Sequence, residues 1–160
     1  MTFGFAYASL GLASVLTFGQ PAPAAPDACA IVNPAEAVAI IGGPVRAPRV
    51  GAFAANTCAI NAEASPGEAY INITLDTAAT LKAQGMPEPK QAFDGLKKSM
   101  DDAEAIAGAG DGAFFSKKNN GVYVLKGAKL TSVLIAPALM QRDQSVAALK
   151  KLATAVASRM

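Results

Sequence analysis

The chain has 160 residues, a length that suits one domain with a single hydrophobic core. Hydrophobic residues make up 52% of it and charged residues 16%, which excludes a disordered chain. The net charge of +2 is too small for the dense basic surface that nucleic-acid binding requires, and the absence of His removes the commonest general base and metal ligand. We therefore predict no nucleic-acid partner, no cofactor and no metal site.

The chain begins with a pattern typical of a secretory signal peptide. Residues 1–19 carry no charge, and their apolar run is followed by a segment rich in Ala and Pro. Ala22 and Ala24 form an A-x-A motif, so we expect cleavage after Ala24. We assign residues 1–25 to the signal peptide and residues 26–160 to a single domain.

The amino end of the leader lacks the Lys or Arg usual in a signal peptide, which a misplaced start would explain. An uncleaved membrane anchor is the alternative reading of the leader. The apolar run from Phe3 to Phe18 has 16 residues, fewer than the roughly 20 that span a bilayer. We predict an exported protein, periplasmic or extracellular, with no stable membrane span after signal cleavage.

The two cysteines, Cys29 and Cys58, fit export, because an even number of cysteines in an exported chain is typical of disulfide bonding. A bridge between them would close a loop of about 30 residues and stabilise the fold by about 3 to 4 kcal/mol. Two buried thiols are the alternative. A lipid anchor on Cys29 is disfavoured, since the Leu expected at the third position before it is absent.

The first helix of the domain is delimited by its own sequence. Asn33 suits the N-cap, Pro34 the first helical position and Glu36 the third residue of a capping box. Gly42 and the residues after it stop the helix, so we predict a helix over Pro34 to Ile41.

Two strands and a second helix follow. A turn at Ser65 to Gly67 separates strands of a hairpin, and the second strand alternates apolar and polar residues. A helical turn is expected before Gly85. An amphipathic helix then begins near Pro89 and is predicted to end near Gly108. Its apolar positions at helical spacing are Phe93, Leu96, Met100, Ala103 and Ile106.

The last part of the chain predicts three strands and a closing helix. The strands are "AFFSKK", "GVYVLKG" and "KLTSVLIAP". Asn120 and Gly121 predict a type I′ turn between the first two, and Gly127 a turn between the last two. A helix begins near Gln144. The fold class is therefore α+β, an antiparallel sheet of about five strands with helices packed on one face, in the order α-β-β-α-β-β-β-α.

The stretch "IAGAGDGAFF", residues 106–115, satisfies the letters of the G-x-G-x-x-[GA] dinucleotide fingerprint. That fingerprint binds phosphate only where a strand leads through the glycines into a helix amino end. Here the predicted order is helix, glycines, strand. We interpret Gly108 as a helix stop and Gly110 and Gly112 as turn residues, so no phosphate site is predicted.

Several segments together resemble a family of small exported bacterial proteins and lipoproteins of uncharacterised function. They are "DACAIVNPAEAVAIIGGPV", "NTCAI", "AGAGDGAFF", "GVYVLKG" and the Ala- and Lys-rich closing helix. The resemblance implies an envelope or secreted domain. It transfers no catalytic residues, because the family has none established, and the missing lipobox departs from its lipid-anchored members.

No catalytic residues are predicted, since the serines lie outside any G-x-S-x-G motif and no His serves as base. The pairs Ser116 with Lys117 and Ser99 with Lys98 are formal Ser–Lys dyads, weak because sequence neighbours on a strand face opposite sides. Lysines at the hairpin turns either contact an anionic partner or guard strand edges. These lysines are Lys117, Lys118, Lys126 and Lys129.

We therefore predict an exported noncatalytic envelope domain, not an enzyme, that acts in binding or protein interaction with an envelope protein or small ligand not identified by the sequence. The first alternative is a periplasmic carrier of a small apolar ligand. Its groove would be lined by Phe93, Met100, Phe114, Tyr123 and Leu125. The second alternative is a hydrolase with an atypical site.

Overall fold

The computed structural model describes residues 27–160, and the predicted signal peptide lies outside the described residues. One sheet of seven antiparallel strands has the order β1-β2-β3-β7-β6-β5-β4. The strands are β1 (Arg49–Val50), β2 (Thr57–Asn61), β3 (Tyr70–Thr77), β4 (Glu104–Ala105), β5 (Gly112–Ser116), β6 (Gly121–Lys126) and β7 (Lys129–Ile135). The helices are α1 (Pro34–Ile41), α2 (Ala78–Ala83), α3 (Pro89–Ser99) and α4 (Asp143–Arg159), with 3₁₀ turns at Ala28–Ala30 and Leu139–Gln141.

The predicted α+β class is correct, but the sheet has seven strands rather than about five. The two additional strands, β1 and β4, are the edges of the sheet and have two residues each. A strand of two residues shows no alternation of apolar and polar side chains, so hydrophobic periodicity does not reveal it.

The helices lie on both faces of the sheet, not on one face as predicted. Successive residues of a strand point to opposite faces. In β6, Val122 and Val124 pack with residues of α1 and α4, whereas Tyr123 and Leu125 pack with residues of α2 and α3. The larger core therefore lies under α1 and α4, and a smaller core lies under α2 and α3.

Helix α1 has the predicted bounds and the predicted capping box. Asn33 Oδ1 accepts from the Glu36 amide at 2.9 Å, and Glu36 Oε2 accepts from the Asn33 amide at 2.9 Å. Gly42 ends the helix in the left-handed conformation. The guanidinium of Arg159, at the end of α4, donates to both Glu36 carboxylate oxygens and to the Ile31 carbonyl, which joins the two helices.

The hairpin of β2 and β3 forms around the predicted turn, and Ile71, Ile73 and Leu75 are buried on the face of the larger core.

The predicted end of the amphipathic helix that begins near Pro89 is wrong, because α3 ends at Ser99 rather than near Gly108. Tertiary contacts hold the following chain out of the helix: Asp102 accepts hydrogen bonds from distant groups, and the chain then forms β4.

The predicted type I′ turn at Asn120 and Gly121 is also wrong. Ser116 pairs with Gly121, so the loop has four residues and Gly121 belongs to β6. Only Asn120 adopts a positive φ, of 53°. Glycine is needed at 121 for close approach, since a Cβ there would lie 2.4 Å from Leu134 Cδ2. The predicted turn at Gly127 and the helix near Gln144 are confirmed.

The glycine-rich stretch joins β4 to β5, a hairpin rather than the predicted passage from helix to strand. No helix follows the glycines, so the context of a phosphate fingerprint is not met. Gly110 has a φ of 62°, and a Cβ there would lie 2.4 Å from the Leu125 carbonyl oxygen. Asp111 Oδ2 accepts from the Gly127 amide at 2.6 Å, which ties this loop to the next hairpin.

Candidate binding surface

Cys29 and Cys58 form the predicted disulfide, with their Cα atoms 5.1 Å apart. The bridge joins the 3₁₀ turn at Ala28–Ala30 to β2, and Cys58 is fully buried in the larger core. It ties the first described residues of the domain to the sheet.

The residues predicted for an apolar ligand groove form the smaller core instead. Phe93, Phe114 and Tyr123 are buried and touch one another, with ring centroids 5.2 Å apart for the first two and 4.7 Å for the last two. Leu125 is buried beside them and Met100 packs at their margin. Burial raises the pKa of the Tyr123 hydroxyl, and the Asp102 carboxylate raises it further. Side chains therefore occupy the position where the carrier alternative places its ligand.

The lysines at the hairpin turns mostly have partners within the chain. Lys118 Nζ lies 2.5 Å from a carboxylate oxygen of Asp101, and this contact raises the pKa of Lys118. Lys126 Nζ donates to the Ala157 carbonyl at 2.8 Å, and Lys129 Nζ to the carbonyl of Met160. Lys117 is exposed. Three of the four lysines therefore stabilise loops or the end of α4.

The serines of the two formal dyads hydrogen-bond to acceptors other than lysine. Buried Ser116 donates to Asp102 Oδ1 at 2.7 Å, and Ser99 donates to the Leu96 carbonyl at 2.8 Å. Asp102 also accepts from the Lys118 amide at 2.8 Å. That backbone hydrogen bond, followed by the one from Ser116, lowers the pKa of Asp102. Asp102 thus organises the loop between β5 and β6.

Within residues 27–160, no three side chains of Cys, Asp or Glu lie close enough together to hold a metal ion. A cavity of about 690 Å³ lies beside the turn between β6 and β7 and is lined partly by Asp111, Lys126 and Lys129. Each of these three side chains makes a hydrogen bond to the backbone. These three charged side chains of the cavity are therefore already hydrogen-bonded within the chain.

A second part of the molecule is left uncovered by the helices. Helix α3 packs on β6 and β7, and α2 packs on β3, which it directly follows. The same face of β1, β2 and the beginning of β3 borders a cavity of about 400 Å³. We call this surface the open face; its residues are Arg49, Phe53, Ala59, Asn61, Tyr70 and Asn72.

The strand register places these side chains together. Arg49 pairs with Ala59, and Ala59 pairs with Asn72, so the three form one row across the sheet. Asn61 pairs with Tyr70 in the next row on the same face, because side chains two residues apart share a face. Ala59 lies in the middle of the row and is 2% exposed, so the longer side chains around it cover it.

Phe53 projects from the loop between β1 and β2. Thr57 Oγ1 holds this loop, accepting from the Phe53 amide at 3.1 Å and the Ala54 amide at 3.0 Å while donating to the Ala54 carbonyl at 2.7 Å. The Phe53 residue is 73% exposed; Val50, which is 67% exposed, pairs with Cys58 and therefore points to the other face of the sheet. The hydrogen bonds of Thr57 thus hold the loop that presents Phe53 to solvent at the margin of the open face.

A smaller cavity of about 210 Å³ continues the open face, because Arg49 and Asn61 line both. Arg46 lines its far side and donates from Nη2 to the Glu63 carbonyl at 3.2 Å. Asn61 Nδ2 donates to the Pro66 carbonyl at 2.6 Å, which leaves its amide oxygen directed elsewhere. Two arginines, two aromatic rings and two amides thus border one continuous depression.

Sequence reasoning did not identify this surface. The sequence predicts no element between the first helix and the hairpin, and it predicts no role for the polar positions of the second strand of that hairpin. A signal was present, since two of the four arginines, Arg46 and Arg49, stand a few residues before Phe53 in a chain of modest charge. The strand pairing needed to bring them beside Tyr70 and Asn72 depends on the two-residue strand β1.

No protein-family model, curated protein or solved structure matches the chain. The resemblance to small exported bacterial proteins therefore stays a prediction, and the candidate surface is assigned on its own geometry.

Proposed function

We propose that the chain is an exported, noncatalytic binding domain of the bacterial cell envelope and that the open face is its binding surface. The observation that carries the proposal is the uncovered part of the sheet, where Phe53, which is 73% exposed, borders a depression together with Tyr70 and Arg49. A depression lined by aromatic side chains with a few polar and charged groups around it is typical of ligand and partner sites.

Export is supported by the disulfide together with the leader pattern. Disulfides persist in oxidising compartments outside the cytoplasm, and the Cys29–Cys58 bridge belongs to the larger core. In the part of the chain that the structure describes, none of the helices has the length and apolar character needed to cross a bilayer.

The open face supports binding rather than catalysis because of the kinds of side chain it presents. Arg, Phe, Tyr and Asn stack and hydrogen-bond well, but at neutral pH they are poor proton carriers and nucleophiles. The carrier alternative would require α3 to separate from the sheet, since Phe93 of α3 packs directly on Phe114 of β5.

The proposal is tested by photo-crosslinking in cells that export the protein with its own leader. A photoreactive phenylalanine analogue is placed at Phe53, or at Val38 of α1, which is 42% exposed and belongs to the opposite side of the sheet. We expect a discrete adduct from position 53 only. Equal adduct formation at both positions, or none at position 53, would overturn the assignment of the open face.

The same preparation tests export and the bridge. Intact mass of the recovered protein should correspond to a chain that starts near Ala25 and should increase by two hydrogen masses on reduction. A full-length chain that starts at Met1 and carries two free thiols would overturn the exported, disulfide-bonded part of the proposal.

A further inference from the structure

We infer that the open face binds an acidic glycan, with Arg46 and Arg49 contacting its carboxylates and Phe53 and Tyr70 packing against its sugar rings. This inference rests on the proposed function and specifies the chemistry of its partner.

The arginines provide the first argument. The chain has four, and two of them stabilise the fold: Arg159 binds Glu36, and Arg142 donates to the Ile41 carbonyl. Among residues 27–160, Arg46 and Arg49 take part in no ion pair, although both are exposed at the depression. A guanidinium presents a planar set of donors that matches a carboxylate. Arg46 donates one hydrogen bond within the fold, to the Glu63 carbonyl, so the open face offers two guanidinium groups that have no carboxylate partner among the described residues.

In the described part of the chain, no nearby acidic side chain forms an ion pair with Arg46 or Arg49. Glu36, the nearest carboxylate along the chain, is paired with Arg159, and the next ones toward the carboxyl end are Glu63 and Glu68, in the connection between β2 and β3. Neither lines the two cavities, and Arg46 reaches only the backbone carbonyl of Glu63. Charge complementarity therefore favours an anionic ligand for the depression.

The rings and amides provide the second argument. Sugars have C–H faces that pack on aromatic rings and hydroxyl groups that bond to planar amides. Phe53 and Tyr70 border the depression together with Asn72, whose side-chain amide makes no hydrogen bond to the described residues. The main cavity, about 400 Å³, is within the roughly 300–1,000 Å³ usual for small-ligand sites, and the second cavity extends it.

The edge of the sheet argues against an acidic peptide as the ligand. An extended peptide commonly binds by adding a strand to an open edge. Here the edge strand β1 has two residues, and Pro48 immediately precedes it, with Pro44 a few residues earlier. Proline lacks the backbone N–H that strand addition requires, so this edge is protected against pairing. The side chains on the face, rather than the backbone at the edge, carry the recognition.

The test is a calorimetric and NMR titration of the exported, disulfide-bonded protein with short oligomers of galacturonate and of mannuronate. Their methyl esters retain the sugar rings without the charge, and hexaglutamate retains the charge without the rings. We expect binding of at least one acidic oligomer, with shift changes in β1, β2 and β3. The methyl esters and hexaglutamate should bind at least fivefold more weakly, and added salt should weaken the acidic complex.

Variants locate the site. Arg49→Ala and Phe53→Ala should each weaken binding about fivefold, as expected for one charge-assisted contact or one aromatic contact. Lys151→Ala removes the same charge from an exposed position of α4 and should change affinity less than twofold. Equal losses from Arg49→Ala and Lys151→Ala would show nonspecific attraction and overturn the inference.

The remaining outcomes are also decisive. Equal binding of the methyl esters would show that the carboxylates are not recognised, equal binding of hexaglutamate would show a peptide site, and no binding of either acidic oligomer would refute the glycan. If a crosslinked adduct still forms at Phe53 in cells, only the glycan inference fails and the open face stays a binding surface. If no adduct forms either, both proposals fail.

Discussion

The disulfide provides the sharpest stability prediction, because its contribution follows from the length of the loop that it closes. Cys29 and Cys58 are 29 residues apart. Closing a loop of this length in the unfolded chain lowers its entropy by about 12 cal/mol/K, which stabilises the folded state by about 3.6 kcal/mol at 25 °C. This is a large part of the roughly 5–15 kcal/mol that stabilises an ordinary domain.

The measurement is urea unfolding of the protein with its bridge intact and after reduction. With an m-value of about 2 kcal/mol/M, the midpoint should fall by about 1.8 M on reduction. The double variant Cys29→Ser/Cys58→Ala, unfolded without reductant, should behave like the reduced protein with a further loss, because Cys58 is fully buried. A loss of less than about 1 kcal/mol in the free energy of unfolding, in both preparations, would refute the loop-closure argument. It would mean that the unfolded chain keeps residues 29 and 58 close together even without the bridge.

Three further predictions concern single side chains. Gly121→Ala should destabilise by about 1–3 kcal/mol, because its Cβ would lie 2.7 Å from the Val133 carbonyl oxygen, whereas Gly67→Ala, with open space around it, should change thermal stability little. Thr131→Val should stabilise the protein by about 1 kcal/mol, since Thr131 Oγ1 is buried without a partner among the described residues. Thr57→Val removes three hydrogen bonds and should destabilise it. The opposite signs for the two variants would contradict this prediction. Burial raises the pKa of Glu36, but hydrogen bonds from Arg159 and from the Asn33 amide outweigh it, so the pKa lies below its ordinary value of 4.5. Because the folded pKa is below the unfolded one, Glu36 contributes stability that is present above pH 4.5 and is lost as pH falls through the folded pKa. Arg159→Met should therefore reduce the loss of stability at acid pH. Equal losses of stability at acid pH in wild type and Arg159→Met would contradict this prediction.

Asp76 contributes to the same curve with the opposite sign. Burial raises its pKa despite hydrogen bonds from Thr80 and Asn56. Its folded pKa is above the unfolded one, so its effect on stability is most favourable at low pH and declines as pH rises through the folded value. The difference between wild type and Arg159→Met cancels the Asp76 contribution and isolates that of Glu36.

The elements that depend on local signals were predictable from the sequence. The capping box of Asn33 and Glu36 defines the start of α1, and the alternation of Ile71, Ile73 and Leu75 defines β3 and its buried face. The disulfide was predictable from the leader and the even number of cysteines. In each case the residues that determine the structure are neighbours in sequence or belong to a simple count.

The errors occurred where distant residues determine the local conformation. Met100 and Ala103 continue the helical spacing of α3, yet the hydrogen bonds from Ser116 and Lys118 to Asp102 draw the chain away from the helix. The Asn120–Gly121 pair suggests a two-residue turn, but Gly121 is needed inside β6 against Leu134. Covering both faces with helices likewise depends on tertiary packing, which strand periodicity does not specify.

The candidate surface was hidden for the same reason. Arg49 and Phe53 belong to a segment rich in Gly and Pro, and Tyr70 and Asn72 are half-buried positions of a strand. None of the four is unusual alone. They become a site only when β1 pairs with β2 and no helix covers that part of the sheet.

Hydroxyl-radical footprinting of the exported protein, purified and in its native envelope, tests the central claim most directly. In the purified protein, Phe53 and Met86 should both react, because they are 73% and 52% exposed. If the open face is occupied in the envelope, labelling of Phe53 should fall severalfold there while labelling of Met86, in the connection between α2 and α3, stays the same. Equal labelling of Phe53 in both preparations would show that nothing binds the open face and would contradict the account.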